Sequence, residues 1–383
     1  LKKIAIKTFK IYNSVKELPE KWDVIARENI FLSTKYLEVL ELSAPNNMQC
    51  HYIGIYTDNG LVGIALTQFL NLNLLNSFGE RDNSVKTSIR NFVFKNYCSH
   101  VLFIGNNMLT GQNAFVYSDK IGFTEILTTL MSAVEELKLQ FKQRDQKIHL
   151  TVYKDFDKNT SNYISNSLKD FYKFTTQPNM LFKIPKEWKT ELDYVNALNK
   201  KYRDQYKRAR KKIVGIEKKK LSCEEIKHHE KTINELYHHV AKNAPFNTFF
   251  LTENHFCEFK KIIGDDFLFY GYFLNDKMIG FNTLVKNSKA MDTYFLGYDD
   301  TIQREKMLYL NMLYDMIGYS IKKEFNEIVF ARTALEIKSS VGAKPEEMFG
   351  FIKHANWFID LFIGKIFCYL EPETLWKERN PFK

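Results

Sequence analysis

Glycine and proline are scarce in this sequence, 16 and 8 in 383 residues, which excludes collagen-like and low-complexity chains. Disorder is excluded by a hydrophobic content of 45%, enough for one large domain or two ordinary ones with a real core. Cysteine occurs five times, at positions 50, 98, 223, 257 and 368. An odd, scattered set reads as free thiols in a reducing compartment rather than a disulfide frame. Apolar runs stop short of the ~18 residues that a membrane-spanning helix needs. The nearest, Trp357 to Leu370, is broken by Asp360 and Lys365. Leu1 to Lys10 alternates as a strand does and lacks the pattern of a signal peptide. The GxSxG elbow, the Walker A loop, GxGxxG, HExxH and CxxC are all missing, so serine-hydrolase, P-loop, Rossmann and zinc readings have no local support. His228-His229 and His238-His239 fall on an expected helix from Cys223 to Lys242, almost three turns apart, and form no metal set. The expectation is a cytoplasmic protein, with peripheral contact at the inner membrane as an option.

What the chain does have is positive charge, and it is concentrated. Lysine and arginine number 55 against 45 acidic residues, a net charge of +10. From Asn199 to Lys220 stand eleven basic residues (Lys200, Lys201, Arg203, Lys207, Arg208, Arg210, Lys211, Lys212, Lys218, Lys219, Lys220) and two acids (Asp204, Glu217), so +9 lies in one block. Tyr202, Tyr206, Ala209 and Ile213 recur there at helical spacing, which predicts a basic helix over 199–220 with one packed stripe. Pairs such as Arg203 with Lys207 and Lys207 with Lys211 repel at i, i+4 with few acids to relieve them. An anionic partner fits this density: a coenzyme pyrophosphate, tRNA, an acyl carrier protein or an anionic lipid surface. No helix-turn-helix or finger pattern supports sequence-specific duplex DNA.

A repeat is also present. His51 to Leu66 (HYIGIYTDNGLVGIAL) parallels Leu268 to Thr283 (LFYGYFLNDKMIGFNT), with Gly54 matching Gly271 and Gly63 matching Gly280 at an offset of 217. Each reads as a β-hairpin about Asp58-Asn59 or Asn275-Asp276. Upstream, Phe31-Leu32-Ser33 answers Phe250-Leu251-Thr252, with Ser or Thr as an expected helix cap. Downstream, Leu102 to Gly105 answers Tyr294 to Gly297, and helices over about 123–141 and 307–323 lead to strands at Lys147 to Tyr153 and Glu327 to Ala331. Both halves therefore run helix, hairpin, strand, loop, helix, strand. The prediction is a duplicated α/β (α+β) fold with domains at 1–177 and 178–383, the second opening with the basic helix.

This order resembles the core of GNAT acyltransferases, and tandem copies with a basic helical insertion resemble the Fem peptidoglycan aminoacyl ligases and related bacterial GNAT-type proteins. The resemblance rests on Lys200-Lys201-Tyr202-Arg203 leading into Lys207-Arg208-Ala209, on Gly271-Tyr272-Phe273 with Ile279-Gly280-Phe281, on Leu296-Gly297-Tyr298-Asp299, and on the run Arg332 to Ala343. It implies two GNAT-like domains, each a mixed, mostly antiparallel sheet flanked by helices. It also implies transfer of an acyl or aminoacyl group to an amine, from acyl-CoA, an acyl carrier protein or aminoacyl-tRNA, with no tightly bound cofactor and no metal. The expected phosphate loop, Thr301-Ile302-Gln303-Arg304-Glu305-Lys306, departs from the GNAT pattern in having no glycine. Gln303 and Arg304 remain phosphate-contact candidates. Loss of the glycines also resembles the Fem branch.

Amide formation needs a deprotonated amine, a positioned ester or thioester, and charge stabilisation for the oxyanion. Lys338 matches the lysine that Fem-like enzymes place after this strand, where it resembles a stabiliser of a carboxylate or oxyanion. Arg332 is a candidate anion clamp, or else a salt-bridge partner of Glu336. Tyr298 and Asp299 end the third strand at the mouth of the expected cleft. Asp299 or Glu336 is a candidate proton acceptor, although Asp299 also suits a turn cap. Lys201, Tyr202, Arg203, Lys207 and Arg208 are candidates for donor binding, and Asn106 and Thr110 for an acceptor pocket. The alternative to an enzyme is a non-catalytic GNAT-like module that binds a polyanion through the basic helix.

Overall fold

The structure is a computed structural model that describes residues 8–74, 95–242, 247–370 and 376–383. Residues 1–7 of the expected first strand lie outside the described residues. The chain forms two compact units: residues 1–176 with 245–252 and 347–373, and residues 177–244 with 253–346 and 374–383.

The first unit contains β1 (Thr8–Tyr12), α1 (Trp22–Ala26), α2 (Thr34–Ser43), β2 (Met48–Thr57), β3 (Gly60–Asn71), β4 (His100–Ile104), β5 (Phe115–Tyr117), α3 (Phe123–Gln143), β6 (Leu150–Phe156) and α4 (Lys158–Ser165). Its strands order as β1-β2-β3-β4-β6, with β5 on β3. Every pairing is antiparallel except β4 with β6. Helix α3 presents Ile126, Leu130, Val134, Leu137 and Phe141 as one buried stripe against this sheet, as apolar residues at i, i+4 spacing dictate.

β7 (Tyr172–Lys183) passes from the first unit into the second, which continues through α5 (Glu191–Ala197), α6 (Lys200–Lys212), β8 (Ile216–Lys220), α7 (Cys223–His228), α8 (Glu230–Ala241), α9 (His255–Ile263), β9 (Phe267–Leu274), β10 (Lys277–Asn287), β11 (Ala290–Tyr298), α10 (Asp300–Lys306), α11 (Leu308–Lys322), β12 (Glu327–Val329) and α12 (Leu335–Ser340). Its order, β7-β12-β11-β10-β9-β8, repeats the first unit's pattern, with β11 and β12 as the one parallel pair. The repeat read from glycine spacing is exact at the level of register: Gly54 faces Ile64 and Ile55 faces Gly63, while Gly271 faces Phe281 and Tyr272 faces Gly280. In the second hairpin Asn275 and Asp276 both have positive φ, 49° and 61°, the combination a two-residue hairpin turn demands.

The first unit's sheet is completed by a strand from the C-terminal half of the sequence, and the second unit's by the end of β7, Leu181–Lys183. β13 (Lys344–His354) pairs antiparallel with β6 in the first unit, and β7 pairs antiparallel with β12 in the second. The chain then closes with α13 (Trp357–Asp360) and α14 (Ile363–Leu370).

Several local expectations need correction. The basic block is not one helix: α6 stops at Lys212, Gly215 takes φ +89°, and Lys218, Lys219 and Lys220 lie on β8 against β9. The segment 223–242 breaks at His229 into α7 and α8. Thr252 caps no helix, since α9 starts after Asn254 and the Thr252 hydroxyl donates to Ser43 O at 3.1 Å. The strands after the long helices are shifted or shorter, at Leu150–Phe156 and Glu327–Val329. Residues 301–306 are helix α10 and not an open loop. Asp299 nucleates it, accepting from Thr301 N at 2.9 Å and Thr301 Oγ1 at 2.6 Å.

Candidate active site

In the second unit β11 pairs with β12 only through Ala290, Met291 and Asp292. Beyond that point β10 still holds β11 as far as Tyr298, while the chain after β12 turns toward β7, with Phe330 N donating to Met180 O and Met180 N to Ala331 O. The two parallel strands thus part beyond Thr293, whose Oγ1 still donates to Val329 O at 3.0 Å. Parallel strands put both carboxyl ends on one edge of the sheet, the place where α/β sheets bind ligands.

The turn after β12 stores strain. Ala331, Thr333 and Ala334 have φ values of 58°, 66° and 46°. Left-handed non-glycine residues cost ~1–3 kcal/mol each and persist where the surroundings over-determine them. Lys338 is part of what holds this turn. Its side chain is buried, with residue exposure of 5%, and Nζ donates to Ala331 O at 3.2 Å and Arg332 O at 2.5 Å. Desolvation pushes its ammonium down to about 7. The sequence places Lys338 at a sheet edge, and the structure adds that it is inside. Arg332 is half-buried in the same turn, and burial pushes its guanidinium down to about 10.

Lys338 and Arg332 are brought together; the other expected chemical groups are not brought to them. Glu336 is exposed and pairs with Arg379, whose Nε donates at 3.0 Å, instead of with Arg332. That pairing holds its carboxyl below the usual range. Asp299 is a helix cap, and the Thr301 hydroxyl and amide hold its carboxyl low as well. Tyr298 packs half-buried, 6.1 Å from the Tyr309 ring. β11 runs six residues past Asp292, roughly 20 Å at ~3.3 Å per residue, which sets Tyr298 and Asp299 well along the strand from its paired segment. Gln303 and Arg304 stand on α10, whose backbone N–H groups are spent inside the helix, as Gln303 N on Asp299 O at 3.0 Å shows. A peptide already hydrogen-bonded in a helix cannot cradle a pyrophosphate.

Asp292 carries a signal that no sequence motif announces. It is buried on β11 opposite Val329, accepts from Asn287 Nδ2 at 3.1 Å, and burial pushes its carboxyl up to about 7. A carboxyl poised there suits proton transfer near neutrality.

The basic helix is anchored through the residues that sequence reasoning passed over. Arg210 reaches Asp315 on α11 at 2.7 Å and Glu191 on α5 at 2.5 Å. Asp315 also accepts from Tyr272 OH at 2.9 Å and lies 3.3 Å from Lys218 Nζ. Glu191 accepts from Tyr206 OH at 2.9 Å. Tyr202 and Ala209 are buried in the unit's core, Arg203 donates to Leu198 O at 2.9 Å, and Lys201 lies 5.3 Å over the Tyr202 ring. Lys200, Lys201, Lys207, Arg208, Lys211 and Lys212 are exposed and make no ion pair among the described residues. At 100° per residue they span an arc of about 140°. The block therefore has a neutralised inner side and a cationic outer face.

In the first unit the loop after β4 is closed on itself. Asn106 is buried: its Nδ2 donates to Tyr36 OH at 2.8 Å, and its Oδ1 accepts from Gln68 Nε2 at 3.3 Å and Met108 N at 3.0 Å. Lys154, ion-paired with Asp155 at 2.6 Å, donates to Asn106 O and Leu109 O, both at 2.9 Å. Thr110 contributes its carbonyl to Asn113 Nδ2 at 3.5 Å. Asn106 is thus the hub of a satisfied polar network, with its amide fully engaged.

No family model matches the sequence, and no curated protein matches it. Solved structures do match. That of FemX has a TM-score of 0.55 and 12% identity, over 96% of this chain and 100% of its own. A tandem GNAT protein from the clavulanic acid biosynthesis pathway has a TM-score of 0.52 and 8% identity, over 92% and 99%. A conserved protein of unknown function from Bacteroides thetaiotaomicron has a TM-score of 0.50 and 11% identity, over 90% and 100%. Identities this low speak for the fold alone, and they agree with the duplicated strand order: the chain has a tandem GNAT-like fold resembling that of the FemX structure.

Proposed function

We propose that the protein is an acyl or aminoacyl transferase that forms an amide on an amine acceptor, with its reacting centre where β11 and β12 part in the second unit. The observation that carries this reading is the strained turn at Ala331–Ala334 with Lys338 buried beneath it. A lysine near neutrality can hold a carboxylate or oxyanion as the ammonium and give its proton to the leaving alkoxide or thiolate as the donor's ester or thioester bond breaks and the amide forms. Arg332 is the anion clamp beside it, and Asp292, rather than Asp299 or Glu336, is the carboxyl suited to take the amine proton. The donor is carried by an anionic carrier that meets the outer face of α6. Helix α10 fills the stretch where a phosphate loop was expected, which favours aminoacyl-tRNA or an acyl carrier protein over acyl-CoA.

Native mass spectrometry with coenzyme A esters, acyl carrier protein and aminoacyl-tRNA identifies the donor. With that donor and an amine acceptor, Lys338→Ala should lose at least about a hundredfold in turnover, on the order of 3 kcal/mol of transition-state stabilisation, while retaining the native circular dichroism spectrum. Unchanged turnover would sink the role of Lys338.

The second reading, a non-catalytic module that binds a polyanion, draws on the fact that Lys338 is satisfied by backbone carbonyls and Asp299 by its cap. It requires binding without turnover, with an affinity for tRNA or heparin that falls steeply with salt and collapses when Lys207, Arg208, Lys211 and Lys212 are reversed to Glu.

A further inference from the structure

The last helices of the first unit show an inverted amphipathic pattern. Trp357, Phe358, Leu361 and Phe362 are exposed by 74%, 60%, 68% and 44%. They lie on α13 and in the turn that follows it, and Lys365, at the start of α14, is exposed as well. Ile363 and Gly364 hold the segment down: Ile363 is buried, and the closest approach to an added Cβ at Gly364 is 2.6 Å from the Tyr172 ring. The apolar face is therefore displayed on an ordered element. Asn356 Oδ1 accepts from Phe358 N at 2.9 Å, and Asp360 accepts from His354 N at 2.6 Å. The rings pack on each other, Trp357 on Phe358 at 5.8 Å and Phe358 on Phe362 at 5.6 Å. Beside them a groove of about 610 Å³ is lined by Lys169, Asp170, Tyr172, Leu361, Ile363 and Lys365.

A contiguous apolar patch held rigidly toward water marks an interaction surface. Its size argues against a second copy of the chain. Aromatic side chains carry ~150–250 Å² each, so this partly exposed set presents on the order of 500 Å², short of the ~800 Å² per partner that a stable dimer buries. Its composition argues for lipid. Trp and Phe favour the membrane–water interface, and Lys365 and Lys169 stand on the groove, whose two acids are engaged, Asp170 at 3.7 Å from Lys353 Nζ and Asp360 by His354 N.

We propose that the face formed by Trp357, Phe358, Leu361 and Phe362 inserts into the interfacial layer of an anionic lipid bilayer, with Lys365 and Lys169 at the headgroups. The depth is that of an interfacial segment, ~5–10 Å; no described helix is long and apolar enough to cross a membrane. This surface is independent of the transferase reading, and its test reads binding instead of turnover, so each can fail alone.

The experiment sediments the full chain with vesicles of phosphatidylcholine and phosphatidylglycerol, and with phosphatidylcholine alone. Binding to the anionic vesicles is expected, with at least about a tenfold loss of affinity in the double variant Trp357→Ser, Phe358→Ser. Brominated lipid should quench part of the parent's tryptophan emission. In Trp357→Phe that quenching should vanish while binding persists, which covers the case of a double variant that fails to fold. Absence of binding to the anionic vesicles overturns the proposal, as does equal binding of a folded double variant, or quenching that survives in Trp357→Phe. A parent dimer in light scattering that the double substitution dissociates also overturns it, and assigns the face to a second copy.

Discussion

The sharpest test of the site's electrostatics is the replacement Lys338→Met, read as a function of pH. Two effects oppose each other at this residue. The ammonium is buried against two carbonyls, and losing it leaves Arg332 O without its 2.5 Å donor; an orphaned buried acceptor costs ~1–3 kcal/mol. Against that, burial lowers the pKa to about 7, from ~10.4 in an unfolded chain. The folded state therefore binds fewer protons than the unfolded state between those values. Stability of the parent must rise with pH across that window, because the penalty for burying the charge is complete below about pH 7 and is gone above about pH 10.4. The Met variant lacks this term, and every other group titrates alike in both proteins. Relative to Lys338→Met, the parent should gain ~2 kcal/mol between about pH 7 and about pH 9, with a limiting slope of ~1.4 kcal/mol per pH unit. The two carbonyl acceptors favour the charged form, so this is an upper value. Urea unfolding of both proteins over that range measures it. A flat difference would refute the reasoning, since it would mean that the folded-state ammonium is as well solvated as a free one.

Asp315→Asn keeps the shape of the hub while removing the charge that Arg210 and Lys218 face, and should cost ~2 kcal/mol in urea unfolding; a change below ~0.5 kcal/mol would mean that the basic helix is held by its apolar stripe alone. Gly297→Ala places a Cβ 2.6 Å from Leu236 O in the backbone of α8, which cannot swing aside as a side chain can, so a loss of ~1–3 kcal/mol is expected. Gly54→Ala, whose closest neighbour is the side-chain atom Cε2 of Tyr56 at 3.0 Å, should cost less; the reverse order would contradict the packing argument. Cys223 and Cys257 hold their sulfurs 3.5 Å apart. Diamide, taking up the two electrons and two protons, should join them into an intramolecular disulfide seen as a mass loss of two hydrogens. Burial pushes the Cys257 thiol up to about 11, so the reaction should quicken as pH rises; disulfide formation that persists in Cys223→Ser would point to another pair.

The sequence by itself determined whatever depends on local periodicity. The hairpins at offset 217 were legible because each strand alternates and each turn carries its own chemistry, and their registers coincide residue for residue. The packed stripe of α6 was legible because Tyr202 and Ala209 recur at the helical period. The position of Lys338 after a strand was legible from the order of elements. Tertiary structure decided what depends on residues distant in sequence. That β13 completes the sheet of the opposite half leaves no local mark, since a strand's pairing edge is not written in its side-chain alternation. The inner charges of the basic block find their partners in Glu191 and Asp315, Asp315 being more than a hundred residues downstream of Arg210. Asp292 reads as an ordinary polar residue in sequence and Lys338 stands out there only by resemblance; burial alone raises the pKa of the one and lowers that of the other. Trp357 to Phe362 reads in sequence as part of an ordinary apolar run; the fold alone leaves its large side chains outward, because Ile363 and Gly364 are already packed on the first unit.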